Sequence, residues 1–288
     1  MPSAREIRRR IRSVRNTSQI TKALEMVAAA RLRHAQSAVL ASRPYAEQLA
    51  ALVSTLATSG GGDDQPHPLL LSRPVEDRML VFITPDRGLA GAMVGNVLRA
   101  GVNFAAEHNP RIVAIGRRGR DWLHRRNRNV IAEFTPVPNR PTMDDVREAA
   151  RIAIDEFSDG TVDEVTLIYT KFISNSQQRP QTVQLLPIRP PQGQDTARFA
   201  NFLFEPSPAE VLAAVLPRYV EVQIFQALLE SRASEESARM IAMHNATENA
   251  KDIVKSLTLS YNKARQAGIT KEILEISSGA EALRAASE

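Results

Sequence analysis

Apolar and small residues recur along the first part of the chain with helical spacing. Ile7, Ile11, Val14, Ser18, Thr21, Glu25, Ala28, Leu32, Ala35, Val39, Ala46, Leu49, Val53 and Leu56 follow a seven-residue repeat whose middle is small or polar. Such a repeat predicts a long helix supercoiled left-handedly against another, with close but weakly hydrophobic pairing in the middle. Ser3-Ala4-Arg5-Glu6 opens it as a capping box, each side chain satisfying an orphan backbone donor of the other. Pro44 is expected to bend this helix by removing one ladder bond, and Gly60-Gly61-Gly62-Asp63-Asp64 to end it. A second helix is announced by Ser207-Pro208-Ala209-Glu210, another capping box with proline at the first helical position, and continues past Pro217 to about Ala267. At ~1.5 Å per residue, Arg218–Ala267 alone would span about 75 Å. That exceeds any domain this chain can build, so the two arms should pair with each other, enter a partner, or both.

Between the arms the pattern changes. No glycine precedes Gly60 and none falls between Gly193 and Gly268; apart from Pro2 and Pro44, prolines are confined to Pro66–Pro217. The breakers therefore mark a folded centre. Met79–Thr84, Arg111–Gly116 and Val130–Phe134 read as strands, alternating with helices over Ala90–Glu107, Gly119–Arg126 and Thr142–Phe157. Glu164–Ile173 and Thr182–Ile188 read as later strands joined hairpin-fashion around Asn175–Pro180. The expected fold class is α/β: two long terminal helices forming an antiparallel coiled coil around a small Rossmann-like, largely parallel α/β domain. The expected division is 1–59 for the first coiled-coil helix, 75–190 for the central domain and 207–286 for the second coiled-coil helix.

Composition and charge narrow the functions. The 288 residues are 43% hydrophobic but only 5% aromatic, which suits packed helices, and there is no cysteine for a disulfide or thiolate metal site. No apolar run approaches the ~20 residues of a membrane span. The Arg-rich start has the composition of a mitochondrial transit peptide, but the helical pattern runs through it without a break, which argues against one. Net charge is +5, yet residues 1–40 alone hold nine bases against two acids, so the first helix calls for an acidic partner.

Candidate chemistry is sparse. Asp86-Arg87-Gly88-Leu89-Ala90-Gly91 follows the first strand, but its glycine spacing matches neither a dinucleotide fingerprint nor a P-loop, so a tight βα turn is favoured over nucleotide binding. Aromatic residues are absent before Tyr45, so no base-stacking platform accompanies the basic face. Arg117, Arg118, Arg120, Arg125, Arg126 and Arg128 form a second basic cluster, read as a solvated face with anion binding the lesser alternative. The five histidines show no metal spacing, and no cofactor is expected. Lys263, Gln266 and Thr270 share one helical face, either a donor-rich track for a partner's carboxylates and carbonyls or simply solvated surface. A nucleic-acid-binding coiled coil and a nucleotide-dependent α/β enzyme are the alternative functions.

Several segments closely resemble the gamma subunit of F-type ATP synthases. They are Ile20-Thr21-Lys22-Ala23-Leu24-Glu25-Met26-Val27-Ala28-Ala29-Ala30 with Ser42-Arg43-Pro44-Tyr45; the Asp86–Gly91 turn; Ala238-Arg239-Met240-Ile241-Ala242-Met243 with Asn245-Ala246-Thr247; and Tyr261–Thr270 with Ser278-Gly279-Ala280. The resemblance implies a non-catalytic central rotor shaft that couples proton-driven rotation of the c ring to ATP synthesis in an alpha/beta hexamer. It implies alpha, beta and epsilon subunits and the c ring as partners, no nucleic acid, and a peripheral place on the cytoplasmic face of a bacterial plasma membrane. It places Arg9, Arg10, Arg12, Lys263, Gln266 and Thr270 toward the beta subunits, and Phe204 and Glu205 at the foot that meets the c ring and epsilon. Ile276, Ala280 and Leu283 fall in the apolar bearing of the hexamer. Leu24 stands where the family often has methionine and Ala90 where cysteine is common, and the redox insert of chloroplast members is absent.

Overall fold

Strand β1 (Arg78–Ile83) is apolar from Met79 onward because both its faces are covered. In this computed structural model, which describes residues 3–59, 67–189 and 204–285, the odd and even residues of the central strands feed two separate cores. Leu80 and Phe82 join Ile112 and Ala114 of β2 (Arg111–Ile115) under helices α2 (Ala92–His108) and α3 (Arg117–His124). Met79, Val81 and Ile83 face the other way, onto Val146, Ala149 and Phe157 of α4 (Asp144–Ser158). The same core receives Val53 and Leu56 from α1 (Ala4–Ser59) and Leu216, Val220, Ile224 and Leu228 from α5 (Pro208–Ala285). Each of these fully buried aliphatic side chains contributes about 1.5–3 kcal/mol relative to exposure.

The sheet has order β3-β2-β1-β4-β5, with β3 (Val130–Phe134) and β4 (Glu164–Ser174) parallel to their neighbours and β5 (Gln177–Leu186) antiparallel. The β4–β5 connection is tighter than expected: Ser174 already pairs with Gln177, and Pro180 lies within β5 opposite Thr170. Proline is tolerated there because β5 is the edge strand, where a missing N–H interrupts no outer ladder. A short 3-10 turn at Pro68–Leu70 was not foreseen; it packs Leu69 into the core. The other strands and helices α2 to α4 fall within two residues of the expected bounds, whereas α5 runs on to Ala285, past the end of the helical spacing expected near Ala267.

The first capping box forms in full and the second in half, the Glu210 carboxylate accepting from the Ser207 hydroxyl at 3.1 Å. The Glu6 N–H donates to Ser3 Oγ at 3.3 Å and the Ser3 N–H to Glu6 Oε2 at 3.0 Å; the Glu210 N–H donates to Ser207 Oγ at 3.2 Å. Helix α1 continues through Pro44 and α5 through Pro217. The glycine run 60–64 lies outside the described residues.

The chain divides into two compact units, 28–241 and 1–27 with 242–288. In each, α1 and α5 pack antiparallel. In the larger unit Val39 packs with Leu229, Ser42 Oγ donates to Gln226 Oε1 at 2.7 Å, and Arg31 faces Glu236. In the smaller unit Thr21 faces Thr247. Every member of the seven-residue repeat is buried or half-buried. One 18-residue window of α5 reaches a mean hydropathy of 1.3, enough by length and composition to cross a bilayer, which corrects the expectation that no apolar run approaches that length. Leu216, Val220, Ile224 and Leu228 of that helix are instead buried in the protein core.

Candidate functional site

The small, polar middle of the coiled coil is explained in the smaller unit by a hydrogen-bonded seam. The Thr21 and Thr247 hydroxyls are 2.8 Å apart and buried, and each also reaches a carbonyl of its own helix, Ser18 or Met243. Beside them Glu25 Oε1 lies 3.1 Å from Lys22 Nζ and 3.2 Å from His244 Nδ1. Burial pushes the Glu25 carboxyl upward, but Lys22 and His244 outweigh it and hold it below its ordinary 4.5. The seam is therefore charged and hydrogen-bonded at neutral pH.

Outward from the seam lie the residues assigned to partner contact. Arg9, Arg10 and Arg12 are exposed, while Ile7 and Ile11 on the same helix are buried. Lys263, Gln266 and Thr270 are exposed and make no hydrogen bond or ion pair among the described residues. Continuing the Thr21–Thr247 register brings Arg9, Arg10 and Arg12 alongside the turns just before Lys263, whereas Gln266 and Thr270 lie past the point that α1 reaches. From Arg265 to Ala280 every residue of α5 is exposed, Ile273, Leu274 and Ile276 by 60% or more. A helix carrying that much apolar surface without cover marks a binding face. Ile276 and Ala280 lie on it; the Leu283 side chain lies outside the described residues. Phe204 is half-buried and packs on the central core, whereas Glu205 is exposed.

A second polar constellation, which the sequence pattern did not disclose, is built where α5 crosses the carboxyl ends of the strands. In open α/β sheets that edge, at the point where the strand order reverses, is where ligands bind. The reversal falls here between β1 and β4, and α5 fills it with polar residues less than 10% exposed: Ser231, Arg232, Ser234, Glu235, Glu236, Ser237 and Arg239. The Thr170 N–H in the second half of β4 donates to Ser231 Oγ at 3.2 Å, and Ser234 Oγ donates to the Thr170 carbonyl at 3.2 Å. Ser237 Oγ donates to the Asn175 carbonyl at 2.7 Å. Glu235 joins Arg232 and Arg239, and Glu236 Oε1 lies 2.8 Å from Arg239 Nη1. Burial alone would loosen the Arg239 proton, but the two glutamates outweigh it and raise its affinity. The signal available in sequence was the Ser231–Arg239 run, with basic and acidic residues at helical spacings of three and four.

The turn after β1 is equally self-contained. Asp86 Oδ1 accepts from the Arg117 N–H at 2.8 Å, and Asp86 Oδ2 from the Val137 N–H at 2.7 Å. The carboxylate thus occupies the start of α3, the place where a phosphate would sit on a helix N-terminus. Gly116 adopts φ +100, and a Cβ there would meet the Thr84 carbonyl oxygen at 1.8 Å, so this turn admits only glycine. On the basic helix α3, Arg120 pairs with Asp121, and Arg126 in the turn after it stacks 4.0 Å from the Trp122 ring centroid, whereas Arg117 and Arg118 are exposed. No cluster of three metal-binding side chains occurs among the described residues.

The ATP synthase family matches residues 3–283. The ATP synthase gamma chain of Roseiflexus castenholzii is 48% identical, the match covering 98% of this chain and 99% of that one. The ATP synthase gamma chain of Chloroflexus aurantiacus is 47% identical, again over 98% and 99%. Among solved structures, the central stalk and c ring of the Tetrahymena thermophila mitochondrial ATP synthase matches with TM-score 0.60 and 23% identity, over 79% of this chain and 99% of that one. The Euglena gracilis mitochondrial ATP synthase assembly of OSCP, F1 and c ring matches with TM-score 0.67 and 17% identity, over 99% and 96%. These two share its fold, with long antiparallel helices on a five-stranded sheet. By the match of nearly its whole length, this chain belongs to the ATP synthase gamma chain family.

Proposed function

We propose that this chain is the central rotor shaft of a bacterial ATP synthase, coupling proton-driven rotation of a c ring to ATP synthesis in an alpha/beta hexamer. The observation that carries the reading is the end-to-end similarity to ATP synthase gamma chains at 48% identity. The uncovered apolar helix beyond Arg265 fits it, because a shaft turning inside a ring of subunits needs a surface without permanent partners. The shaft comprises helical segments 1–59 and 207–286, joined to a central domain at 75–190. Arg9, Arg10, Arg12, Lys263, Gln266 and Thr270 face the beta subunits. Ile276, Ala280 and Leu283 run in the hexamer's apolar bearing, and Phe204 and Glu205 lie near the foot toward epsilon and the c ring. The complex would hold the chain at the cytoplasmic face of the plasma membrane as a non-catalytic subunit.

Copurification tests this reading. A tagged copy expressed in its native host should bring down alpha, beta and epsilon subunits and, in mild detergent, the c ring. Recovery of the chain alone, or with nucleic acid that salt releases, would overturn it.

A further inference from the structure

Strand β4 is longer than its place in the sheet requires. Its pairing with β1 runs from Glu164 to Ile168; beyond that only β5 accompanies it among the described residues, as a two-stranded hairpin that turns between Ser174 and Gln177. Such a hairpin is marginal in water unless another element covers it. Within the larger unit, α5 takes the place that β1 leaves. Across the hairpin Thr170 faces Pro180, which has no N–H to offer, and its own N–H and carbonyl go to Ser231 Oγ and Ser234 Oγ, each at 3.2 Å. The Phe172 N–H reaches the Glu230 carboxylate, and the Ser237 hydroxyl donates to the Asn175 carbonyl at 2.7 Å. Glu230, Ser231, Ser234 and Ser237 follow helical spacing, so one face of α5 lies along the hairpin up to its turn.

The hairpin also reaches the other helix. Asn175 Oδ1 accepts from Gln36 Nε2 of α1 at 2.8 Å, and Phe172 packs with Val39 of α1 and with Leu229 and Ala233 of α5. One continuous strand therefore joins the sheet to both helices. The main core holds the same helices elsewhere, through Val53 and Leu56 of α1 and through Leu216, Val220, Ile224 and Leu228 of α5. At ~1.5 Å per residue, Gln36 lies about 25 Å along α1 from Val53, and Ser237 about 13 Å along α5 from Leu228. A rod held at one level can swing about it, whereas a rod held at separated levels must move with its support.

We infer that the β4–β5 hairpin is a strut that makes the helix pair of the larger unit turn with the sheet, with Gln36, Asn175 and Ser237 as its positioning residues. The inference rests on the rotor reading and adds to it the element that carries rotation between the sheet and the helices. These ties can be cut without stranding a partner. Asn175 is exposed, so water can replace Gln36, and its carbonyl keeps the Gln178 Nε2 donor at 2.7 Å when the Ser237 hydroxyl is removed.

The test compares the parent with Gln36→Ala/Ser237→Ala, as the full chain and in reconstituted ATP synthase complexes. In the full chain the melt should be unchanged. Amide hydrogen exchange should quicken about fivefold over 171–179 and stay at the parent rate over Val165–Ile168, which β1 still flanks. In the complex, ATP hydrolysis should hold while the protons pumped per ATP fall, because the helices can turn without the sheet following fully. Asn175→Ala should lower pumping in the same way, whereas Asn175→Asp keeps the acceptor for Gln36 and should retain it. Should the double variant melt early, the two Asn175 variants still decide the matter. Parent-like pumping per ATP in the double variant at an unchanged melt, unchanged exchange over the hairpin, or equal coupling in the two Asn175 variants would each overturn the strut and leave the rotor reading standing. A parent chain that supports no pumping complex would overturn both.

Discussion

A carboxylate taken out of water loses hydration that its new neighbours must replace. Glu230 on α5 sits against Tyr169 of β4, and burial raises its carboxyl above the ordinary 4.5 even though Lys171, Tyr169, Arg43 and the Phe172 N–H pull the other way. Tyr169 responds in kind: burial first, then the Glu230 charge, pushes its phenol well above its ordinary range. The folded chain thus holds the Glu230 proton more tightly than the unfolded chain does. Stability from this group is complete below the unfolded value of 4.5 and is lost as pH rises through the raised folded value. Glu230→Gln removes the ionisation and keeps an acceptor for the tyrosine, so the variant should be more stable than the parent at neutral pH. The difference should shrink to nothing by about pH 4. Denaturant melts of both proteins across that range would measure it, and a pH-independent difference would refute the assignment. None of this was legible in the sequence, because Glu230 occupies an ordinary helical position and only the tertiary approach of β4 buries it.

At the scale of elements, α2 offers a paired test of packing. A Cβ on Gly101 would lie 2.4 Å from the Phe82 ring, and Phe82 is itself 1% exposed, so the ring has nowhere to turn. Gly95 lies in the same helix with nothing within 4 Å of where its Cβ would be. Gly101→Ala should therefore destabilise by about 1–3 kcal/mol through overpacking. Gly95→Ala should stabilise by about 0.5–1 kcal/mol through helix propensity. Urea titration of both variants checks the opposition of sign, and two shifts in one direction would contradict it. Helices and strands were readable from the sequence where one periodicity ran unbroken, as along the seven-residue repeat of α1 and the doubly covered β1. Reading failed where tertiary context overrode local chemistry. Pro180 looked like a turn residue but is accommodated on the edge strand β5, and the polar Ser231–Arg239 run, which helical spacing alone left without a role, is buried with hydrogen bonds to Thr170 of β4. A solved relation between helix and sheet was needed to see it, since each serine's partner lies some sixty residues away in the chain.

For the molecule as a working part, the informative surface is the one that contributes least to its own fold. Gln266 and Thr270 lie where α5 has outrun α1, and neither they nor Lys263 make any hydrogen bond or ion pair within the described chain. Substitutions at such exposed, unpartnered positions usually change stability by no more than about 0.5 kcal/mol. In an assembled rotary complex the same groups would meet a carboxylate or carbonyl on a beta subunit once per catalytic position. Well-formed charge-assisted contacts contribute about 1.5–3 kcal/mol each, and they must break at each step, so they would act as transient catches. The pattern was readable in the sequence as a shared helical face, but a solvated face gives the same pattern, and the isolated chain cannot separate the two. Function can. Gln266→Ala, Thr270→Val and Lys263→Ala should each leave the melt of the chain and its assembly intact while lowering ATP hydrolysis and ATP-driven proton pumping in reconstituted complexes. A loss of one such contact at the rate-limiting step corresponds to a decrease of about tenfold or more. Because the Gln266 and Thr270 side chains have no partner to lose among the described residues, a turnover defect without a stability defect points to contact with another subunit. Wild-type rates in all three variants would return this face to bare solvent-exposed surface and remove it from the proposed torque contact.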